Sequence, residues 1–311
     1  MTLTQVMPTQ IVGGALMSKV VDAILAGYEN GKTRRAYSRA LGGFMEWWMD
    51  ARCPPLTKML INEYKQYMVQ IGIGEASINQ RITAIKRLAL ELADHGVIDE
   101  RTYQAIKRVE GIRREGRPTG NWLTQEQAQA LLNTPDVETL QGLRDRALFA
   151  ILLGCGLRRD EAAHLQWSHI AQREGRWCIV DMVGKRNKVR TIPMAPWTKV
   201  ALDRWGESVG GYSENVFVHI NKGDNVVGES ITGSAVNMIV KKYCAVLGFR
   251  DISAHDLRRT FAKLARKGGA LLEHLQYCLG HQSVETTAQY IGEELDYNNA
   301  PCDVLGIGLE S

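Results

Sequence analysis

The sequence predicts a mainly α-helical chain with one small β-sheet, an α+β fold class, arranged as two domains. Its 311 residues are enough for two domains of ordinary size. Apolar residues in the first third recur at spacings of three and four, as on one face of a helix. Two β-rich runs in the second half flank a short basic turn, which indicates a hairpin.

The N-terminal part, residues 1–115, is predicted to be a helical domain of four or five helices. In the segment 76–95 the apolar residues form one stripe, which is typical of a buried helix face. They are Ile78, Ile82, Ile85, Leu88 and Leu92. The segments 33–51 and 57–71 show the same spacing and add aromatic residues, which at such positions are typical of a core.

A domain boundary is predicted near residues 111–121, which contain three glycines, a proline and three arginines without apolar periodicity. We place the linker at 116–122 and a second domain at 123–292. Thr124 and Gln127 have the spacing of a capping box, which predicts a helix start there. The remaining residues, 293–311, form an acidic tail.

The second domain is predicted to be mostly helical, apart from a hairpin with strands at 177–183 and 189–194. Pro193 indicates that the second strand ends there or lies at a sheet edge, because proline has no backbone N–H. Near the end of the domain, Ser253 and Asp256 have the spacing of a helix cap, and we interpret them as capping residues without a catalytic role.

Two further helices are predicted after Gly268 and Gly269, which end the helix that Ser253 begins. The first covers 271–279 and ends at Gly280, since glycine favours the left-handed conformation at a helix end. The second begins at Ser283 and carries Tyr290.

The charge distribution favours a polyanionic partner. Residues 1–117 have a net charge of +5 and residues 118–290 a net charge of +4, whereas the last 21 residues have a net charge of −5. Basic segments favour nucleic acid, and an acidic tail more often meets protein. Solvated surfaces explain the same charges equally well.

Composition and motifs argue against several classes of protein. No apolar run approaches the roughly 18 residues of a membrane span, and the N-terminus lacks a secretory signal pattern. The six cysteines form no CxxC pair, which fits free thiols in a reducing cytoplasm. No glycine-rich phosphate loop is present. We therefore expect a cytoplasmic protein with no membrane partner, no metal and no cofactor.

Five short segments carry the candidate chemistry. They are GLRRDE at 156–161, GKRNKVR at 184–190, HDLR at 255–258, LGH at 279–281 and a tyrosine at 290. Residues three positions apart share a helix face, so His255 and Arg258 project together near a helix N-terminus, which suits a phosphate. Alone, each segment is more often an exposed ion pair, a solvated turn or a structural side chain.

In this order and spacing the five segments resemble the tyrosine recombinase, or phage integrase, family of site-specific DNA recombinases. The resemblance covers about residues 122–292, and the first domain is similar to the family's core-binding domain in size and helix pattern only. It implies an enzyme that cuts and rejoins DNA strands through a 3′-phosphotyrosyl intermediate, without metal or ATP.

The resemblance implies that Arg158 and Arg258 bind the non-bridging phosphate oxygens, a task that suits the planar guanidinium group. Tyr290 is then the nucleophile that attacks the phosphorus. Glu161 supports the arginines without touching the phosphate.

The same resemblance implies that Lys185 protonates the leaving 5′-oxygen. The turn GKRNK departs slightly from the family's commoner GKG form, so Lys188 is an alternative acid. His255 is the base or proton shuttle for the tyrosine, because a free tyrosine has a pKa near 10. His281 is expected to form a hydrogen bond to the phosphate.

The partners that the resemblance implies are double-stranded DNA with a specific recombination site and a homo-tetramer on two DNA duplexes. The tail at 293–311 is expected to dock on a neighbouring protomer. Basic residues of the helical domain, the linker and the hairpin turn are candidate DNA contacts. They are Arg34, Arg35, Arg81, Arg87, Arg113, Arg114, Arg186 and Lys188.

Three other classes of protein stay open at this point. A type IB topoisomerase uses the same catalytic residues, and relaxation of a plasmid without a recombination site identifies it. A DNA-binding regulator with the same fold has no cleavage activity. A metal-dependent nuclease loses its activity in EDTA.

Overall fold

The computed structural model describes residues 14–28, 31–112, 121–183 and 189–292. It confirms the predicted fold class, because most of the described chain is helical and the strands form one small antiparallel sheet. The chain divides into two compact units, Met1–Arg117 and Pro118–Ser311. Each unit has an apolar core of its own.

Five helices are described in the first unit. They are α1 (Gly14–Ala26), α2 (Gly31–Asp50), α3 (Lys58–Gln70), α4 (Glu75–Asp94) and α5 (Glu100–Lys107). Helix α4 packs against the other four. The predicted apolar stripe of α4 accounts for this packing, since every residue of the stripe is at most 2% exposed. Burial of such a face holds an amphipathic helix in place.

The second unit contains eight described α-helices and three strands. The helices are α6 (Gln125–Asn133), α7 (Leu140–Gly154), α8 (Arg159–Ala163), α9 (Pro196–Val209), α10 (Gly233–Val246), α11 (Ala254–Lys267), α12 (Leu272–Leu279) and α13 (Val284–Ile291). The strands are β1 (Ile170–Arg173), β2 (Arg176–Val183) and β3 (Val189–Pro193). Helix α7 lies in the core, with residues 147–152 fully buried.

The predicted hairpin is formed by β2 and β3, with Val183 opposite Val189. The sheet order is β1-β2-β3, so β3 is an edge strand that ends at Pro193, as its proline predicts. Strand β1 was not predicted, because its four residues, IAQR, lack a clear alternation of apolar and polar side chains.

The helix starts and ends around the C-terminal segments follow the sequence. Ser253 and Asp256 form a capping box at the start of α11, and Gly280 ends α12 in the left-handed conformation. A small apolar cluster that includes Leu275, Leu279 and Ile291 joins α12 and α13 to α11. The helices that carry the LGH segment and the tyrosine are thereby fixed against the helix that carries HDLR.

Several predicted features lie outside the described residues. They are most of the linker at 116–122, the hairpin turn at 184–188 and the tail at 293–311. In the part of the chain that the structure describes, no helix is both long and apolar enough to cross a membrane.

Candidate active site

Arg158 is the N-cap residue that precedes the short helix α8, and Glu161 holds it in place. The backbone N–H of Arg158 donates to Oε2 of Glu161 at 2.8 Å, and its Nη1 donates to Oε1 at 2.7 Å. The side chain of Arg158 is still 33% exposed. Its guanidinium group is therefore oriented but open to an anionic ligand.

Arg258, on α11, is almost completely buried, with 1% of its surface exposed. Its Nη1 donates to the carbonyl of Gly156 at 2.8 Å, and its Nη2 donates to the carbonyl of Leu279. Nη2 also lies 3.5 Å from Nε2 of His281. Burial and the charge of Arg158 lower the pKa of Arg258 to about 10, so it stays positive at neutral pH and ties the GLRRDE and LGH segments together.

A third arginine, Arg190 on β3, meets the same carboxylate. Its Nη2 donates to Oε2 of Glu161 at 2.8 Å, and its Nε donates to the carbonyl of Cys278 at 2.9 Å. Burial raises the pKa of Glu161, but the hydrogen bonds and charges of Arg190 and Arg158 outweigh it and hold that pKa below its ordinary value. Arg190 was not predicted as a site residue, because it is one of several basic residues in GKRNKVR.

The ring of Tyr290, on α13, lies between two histidines of the same chain. Ring centroids are 5.5 Å apart for His255 and 5.2 Å apart for His281. The guanidinium carbon of Arg259 lies 5.0 Å from the centroid of the tyrosine ring. The hydroxyl donates to the backbone carbonyl of His255 at 3.3 Å.

The protonation states of these groups follow from their surroundings. Burial raises the pKa of Tyr290 above its ordinary value, although Arg258 and Arg259 oppose the rise, so the phenol keeps its proton at neutral pH. Burial and the charges of Arg259 and Arg258 lower the pKa of His255. A neutral imidazole therefore packs against a protonated phenol, whose hydroxyl donates to the backbone carbonyl of His255 and not to its ring.

The structure brings five of the predicted catalytic residues into one site. They are Arg158, His255, Arg258, His281 and Tyr290. Lys185 lies outside the described residues. Among the residues that the structure describes, no three His, Cys, Asp or Glu side chains form a group that could hold a metal ion.

Two of the predicted DNA contacts, Arg34 and Arg35, are exposed on α2. Nη2 of Arg34 donates to the carbonyl of Tyr28 at 3.1 Å. Four other predicted contacts lie outside the described residues, and these are Arg113, Arg114, Arg186 and Lys188.

The remaining two predicted contacts, Arg81 and Arg87, are both on α4. Arg81 interacts with the hydroxyl of Tyr64, and Arg87 forms an ion pair with Glu91 at 2.8 Å. At 3.6 residues per turn, six positions separate two side chains by about 120° around a helix. The two arginines therefore do not share one face of α4.

A basic pocket in the first unit was not predicted as a set. It is lined by Lys58, Lys86, Lys107 and Arg108, together with residues 109–112. Burial and the charge of Lys65 lower the pKa of Lys86. These cations come from α3, α4 and the end of α5, so their proximity has no signal in local sequence.

Gly156 provides a test of how the site is supported, because it has a φ of 62° and its carbonyl accepts from Arg258. A Cβ there would collide with the ring of Phe261, 2.8 Å from Cε1. We expect Gly156→Ala to lower the free energy of unfolding by about 2–4 kcal/mol, from backbone strain and overpacking, in urea denaturation.

The matched control is Gly210→Ala, since Gly210 has a similar φ of 59° but no heavy atom within 4 Å of an added Cβ. It isolates the backbone strain, which costs about 1 kcal/mol. Equal losses in the two variants would show that the contact with Phe261 does not support the site.

Comparisons with known proteins identify the family. The phage integrase family matches residues 121–295. Tyrosine recombinase XerC of Pelobacter propionicus is 31% identical over 235 residues, which are 75% of this chain and 74% of that protein. Tyrosine recombinase XerD of Pseudomonas aeruginosa is 27% identical over 83% of this chain and 85% of its own.

Solved structures show the same fold. XerH recombinase in its post-cleavage complex with a palindromic difH substrate has a TM-score of 0.69 at 20% identity, covering 91% of this chain and 82% of that one. A lambda integrase (75–356) dimer bound to a COC′ core site has a TM-score of 0.67 at 17% identity, covering 90% and 96%.

The fold, the match and the relatives define a class of enzyme that cuts and rejoins DNA strands. The chain belongs to the phage integrase family. It is a tyrosine recombinase that acts in site-specific recombination.

Proposed function

We propose that this recombinase cleaves one DNA strand with Tyr290 and stores the bond energy in a 3′-phosphotyrosyl link. The observation that carries the proposal is the position of the tyrosine ring between His255 and His281, beside the buried Arg258. Each of the catalytic side chains then has one role in the cleavage of a single phosphodiester.

In the proposed step, Oη of Tyr290 attacks the phosphorus as the bond from phosphorus to the 5′-oxygen breaks. The phenolic proton passes to the neutral imidazole of His255, and Lys185 gives a proton to the leaving 5′-oxygen. Attack by a 5′-hydroxyl on the phosphotyrosine reverses the step and rejoins the strand, so no ATP is consumed.

The arginines stabilise the charge that develops during attack. A phosphodiester carries one negative charge and its pentavalent phosphorane carries two, so fixed cations bind the transition state more tightly than the ground state. Arg158 and Arg258 are both positive and are both tied to Glu161 or to backbone carbonyls. In this mechanism they take the place that a metal ion has in other nucleases.

His281 changes its protonation state when DNA binds. The hydroxyl of Thr287 donates to the carbonyl of Ser283 at 3.4 Å, so Nδ1 of His281, 3.0 Å from that hydroxyl, is the donor to it. The lone pair on Nε2 then faces Arg258. A phosphate anion favours the imidazolium form, in which Nε2 also donates.

A pH titration tests this role. Burial and the charges of Arg258, Arg158 and Arg190 lower the pKa of His281 to about 4, below its ordinary value near 6.5. His281 therefore binds a proton more readily in the unfolded chain than in the folded one. As the pH drops from about 6.5 to 4, this difference lowers the free energy of unfolding.

We expect the NMR signal of His281 to titrate near pH 4 in the free protein and at a higher pH in a complex with DNA. The variant His281→Asn identifies the signal. A midpoint near 6.5 that DNA leaves unchanged would rule out the proposed role.

We further propose that residues 1–115 form a DNA-binding domain, joined by a linker at 116–122 to the catalytic domain at 123–292. The predicted arginines and the basic pocket around Lys86 are its phosphate contacts, because clustered cations release counterions from DNA. The substrate is double-stranded DNA with a specific site, and the active assembly is a tetramer on two duplexes. The tail at 293–311 docks on a neighbouring protomer.

We place the enzyme in the cytoplasm. The cysteines that the structure describes are free thiols, and free thiols persist in a reducing compartment.

Covalent trapping on DNA of unknown sequence tests the proposed function. The protein is incubated in EDTA with a pool of randomised duplexes that carry a nick in one strand, and complexes that survive SDS are isolated. Their DNA is sequenced to give the recognition site. We expect one shared sequence motif, whereas SDS-stable complexes on unrelated sequences would favour a topoisomerase, and an absence of complexes would refute the proposal.

A further inference from the structure

Three guanidinium groups surround the carboxylate of Glu161. Its Oε1 accepts from Nη1 of Arg158, and its Oε2 accepts from Nη2 of Arg190 and from the backbone N–H of Arg158. Nη1 of Arg258 lies 3.8 Å from the same Oε2, an ion-pair distance without a hydrogen bond. Arg190 and Arg258 therefore compete for the same oxygen, Oε2 of Glu161.

Arg190 has the stronger hold on this oxygen because two other contacts fix it. Its Nε donates to the carbonyl of Cys278, and its side chain packs against Gly280, where an added Cβ would lie 3.3 Å from Cδ and Nη1. The side chain is only 7% exposed. Arg190 thus reaches Glu161 from strand β3, where these two contacts hold its side chain.

The charges around Glu161 determine the net positive charge with which the site can bind phosphate. Three arginines and one carboxylate leave a net charge of +2, which matches the double negative charge of the phosphorane. Without Arg190 the net charge falls to +1. The guanidinium of Arg258, whose Nη1 lies 3.8 Å from Oε2, would then be drawn toward the carboxylate and away from the carbonyl of Gly156.

We propose that Arg190 is a positioning residue that keeps Glu161 engaged, so that the carboxylate does not draw the guanidinium of Arg258 away from the phosphate. The inference rests on the proposed function, because it assumes that Arg258 binds the scissile phosphate. Its distinctive consequence is that Glu161 becomes inhibitory once Arg190 is removed.

A double-mutant cycle tests this consequence. Single-turnover formation of the covalent complex is measured at saturating DNA for the wild type, Arg190→Met, Glu161→Gln and the double variant. We expect Arg190→Met to slow the reaction about 100-fold with DNA affinity unchanged. The double variant should be at least about tenfold faster than Arg190→Met, because glutamine has no charge with which to capture Arg258.

Two controls separate positioning from folding. Arg190→Lys keeps the charge and should recover part of the rate, whereas Arg173→Met removes an exposed charge from β1 and should keep the wild-type rate. The melting temperature of each variant is recorded. If Arg190 has only a structural role, the double variant is as slow as Arg190→Met or slower, and this result would overturn the inference.

Binding of inorganic phosphate to the free protein gives a readout that does not depend on DNA. Calorimetry should show weaker binding to Arg190→Met and recovery in the double variant. If the wild type forms no covalent complex on any DNA, the proposed function fails while this readout still decides the role of Arg190. If the wild type does form a covalent complex but the double variant recovers neither the rate nor phosphate binding, the inference about Arg190 is refuted and the proposed function is not.

Discussion

Tyr290→Phe should bind DNA like the wild type and form no covalent complex that survives SDS. The variant removes one oxygen and keeps the ring that packs between His255 and His281. The hydroxyl donates to the carbonyl of His255 over a long 3.3 Å and also interacts with the side chain of Arg258, so stability should change by about 1 kcal/mol. Loss of the nucleophile should slow cleavage by roughly six orders of magnitude.

The measurement is single-turnover cleavage on the nicked substrate recovered by trapping, with DNA affinity measured in parallel. Tyr277→Phe is the matched control, because Tyr277 lies on the neighbouring α12 with 72% of its surface exposed, and we expect it to keep full activity. A covalent complex formed by Tyr290→Phe would mean that another side chain attacks the DNA.

Arg158→Ala and Arg258→Ala should each slow cleavage by about three to four orders of magnitude, since each removes a charged donor to the transition state. Their effects on stability should differ. Arg258 is 1% exposed and donates to the carbonyls of Gly156 and Leu279, so its loss also lowers the free energy of unfolding by about 2–4 kcal/mol. Arg158, one-third exposed, should change stability by less than about 1 kcal/mol.

Urea denaturation and single-turnover cleavage of both variants check this difference. Arg258→Lys serves as the control for folding, because it keeps the positive charge but not the planar fork of donors, and its rate should be intermediate. A normal rate in either alanine variant would contradict the assignment of these arginines to the phosphate, and equal losses of stability would contradict the structural role given to Arg258.

The parts of the structure that local sequence determines were predictable. The capping boxes at Thr124 and Ser253 and the left-handed Gly280 depend on residues within four positions of each other. They fix where α6 and α11 begin and where α12 ends. The apolar stripe of α4 likewise identified the centre of the first unit.

Long-range contacts had no such local signal. Arg190 meets Glu161 across 29 residues and Cys278 across 88 residues, and nothing in its own segment distinguishes it from neighbouring basic residues. The basic pocket around Lys86 is likewise assembled from separate helices. Strand β1 forms because it pairs with β2. Strand formation depends more on packing against neighbouring strands than on the residues of the strand itself.

The family motifs located the candidate catalytic residues, whereas the structure alone gives their surroundings. No spacing in the sequence indicates that Arg258 is almost fully buried or that burial and three arginines lower the pKa of His281. These properties depend on how α11, α12 and α13 pack together. They decide which residues stay charged and which stay neutral when the substrate arrives.

Identification of the atom that joins protein to DNA tests the central claim most directly. The trapped complex is digested with nuclease and protease, and the modified peptide is sequenced by mass spectrometry. We predict a nucleotide attached through its 3′-phosphate to the oxygen of Tyr290. Attachment at any other residue, or through a 5′-phosphate, would contradict the account.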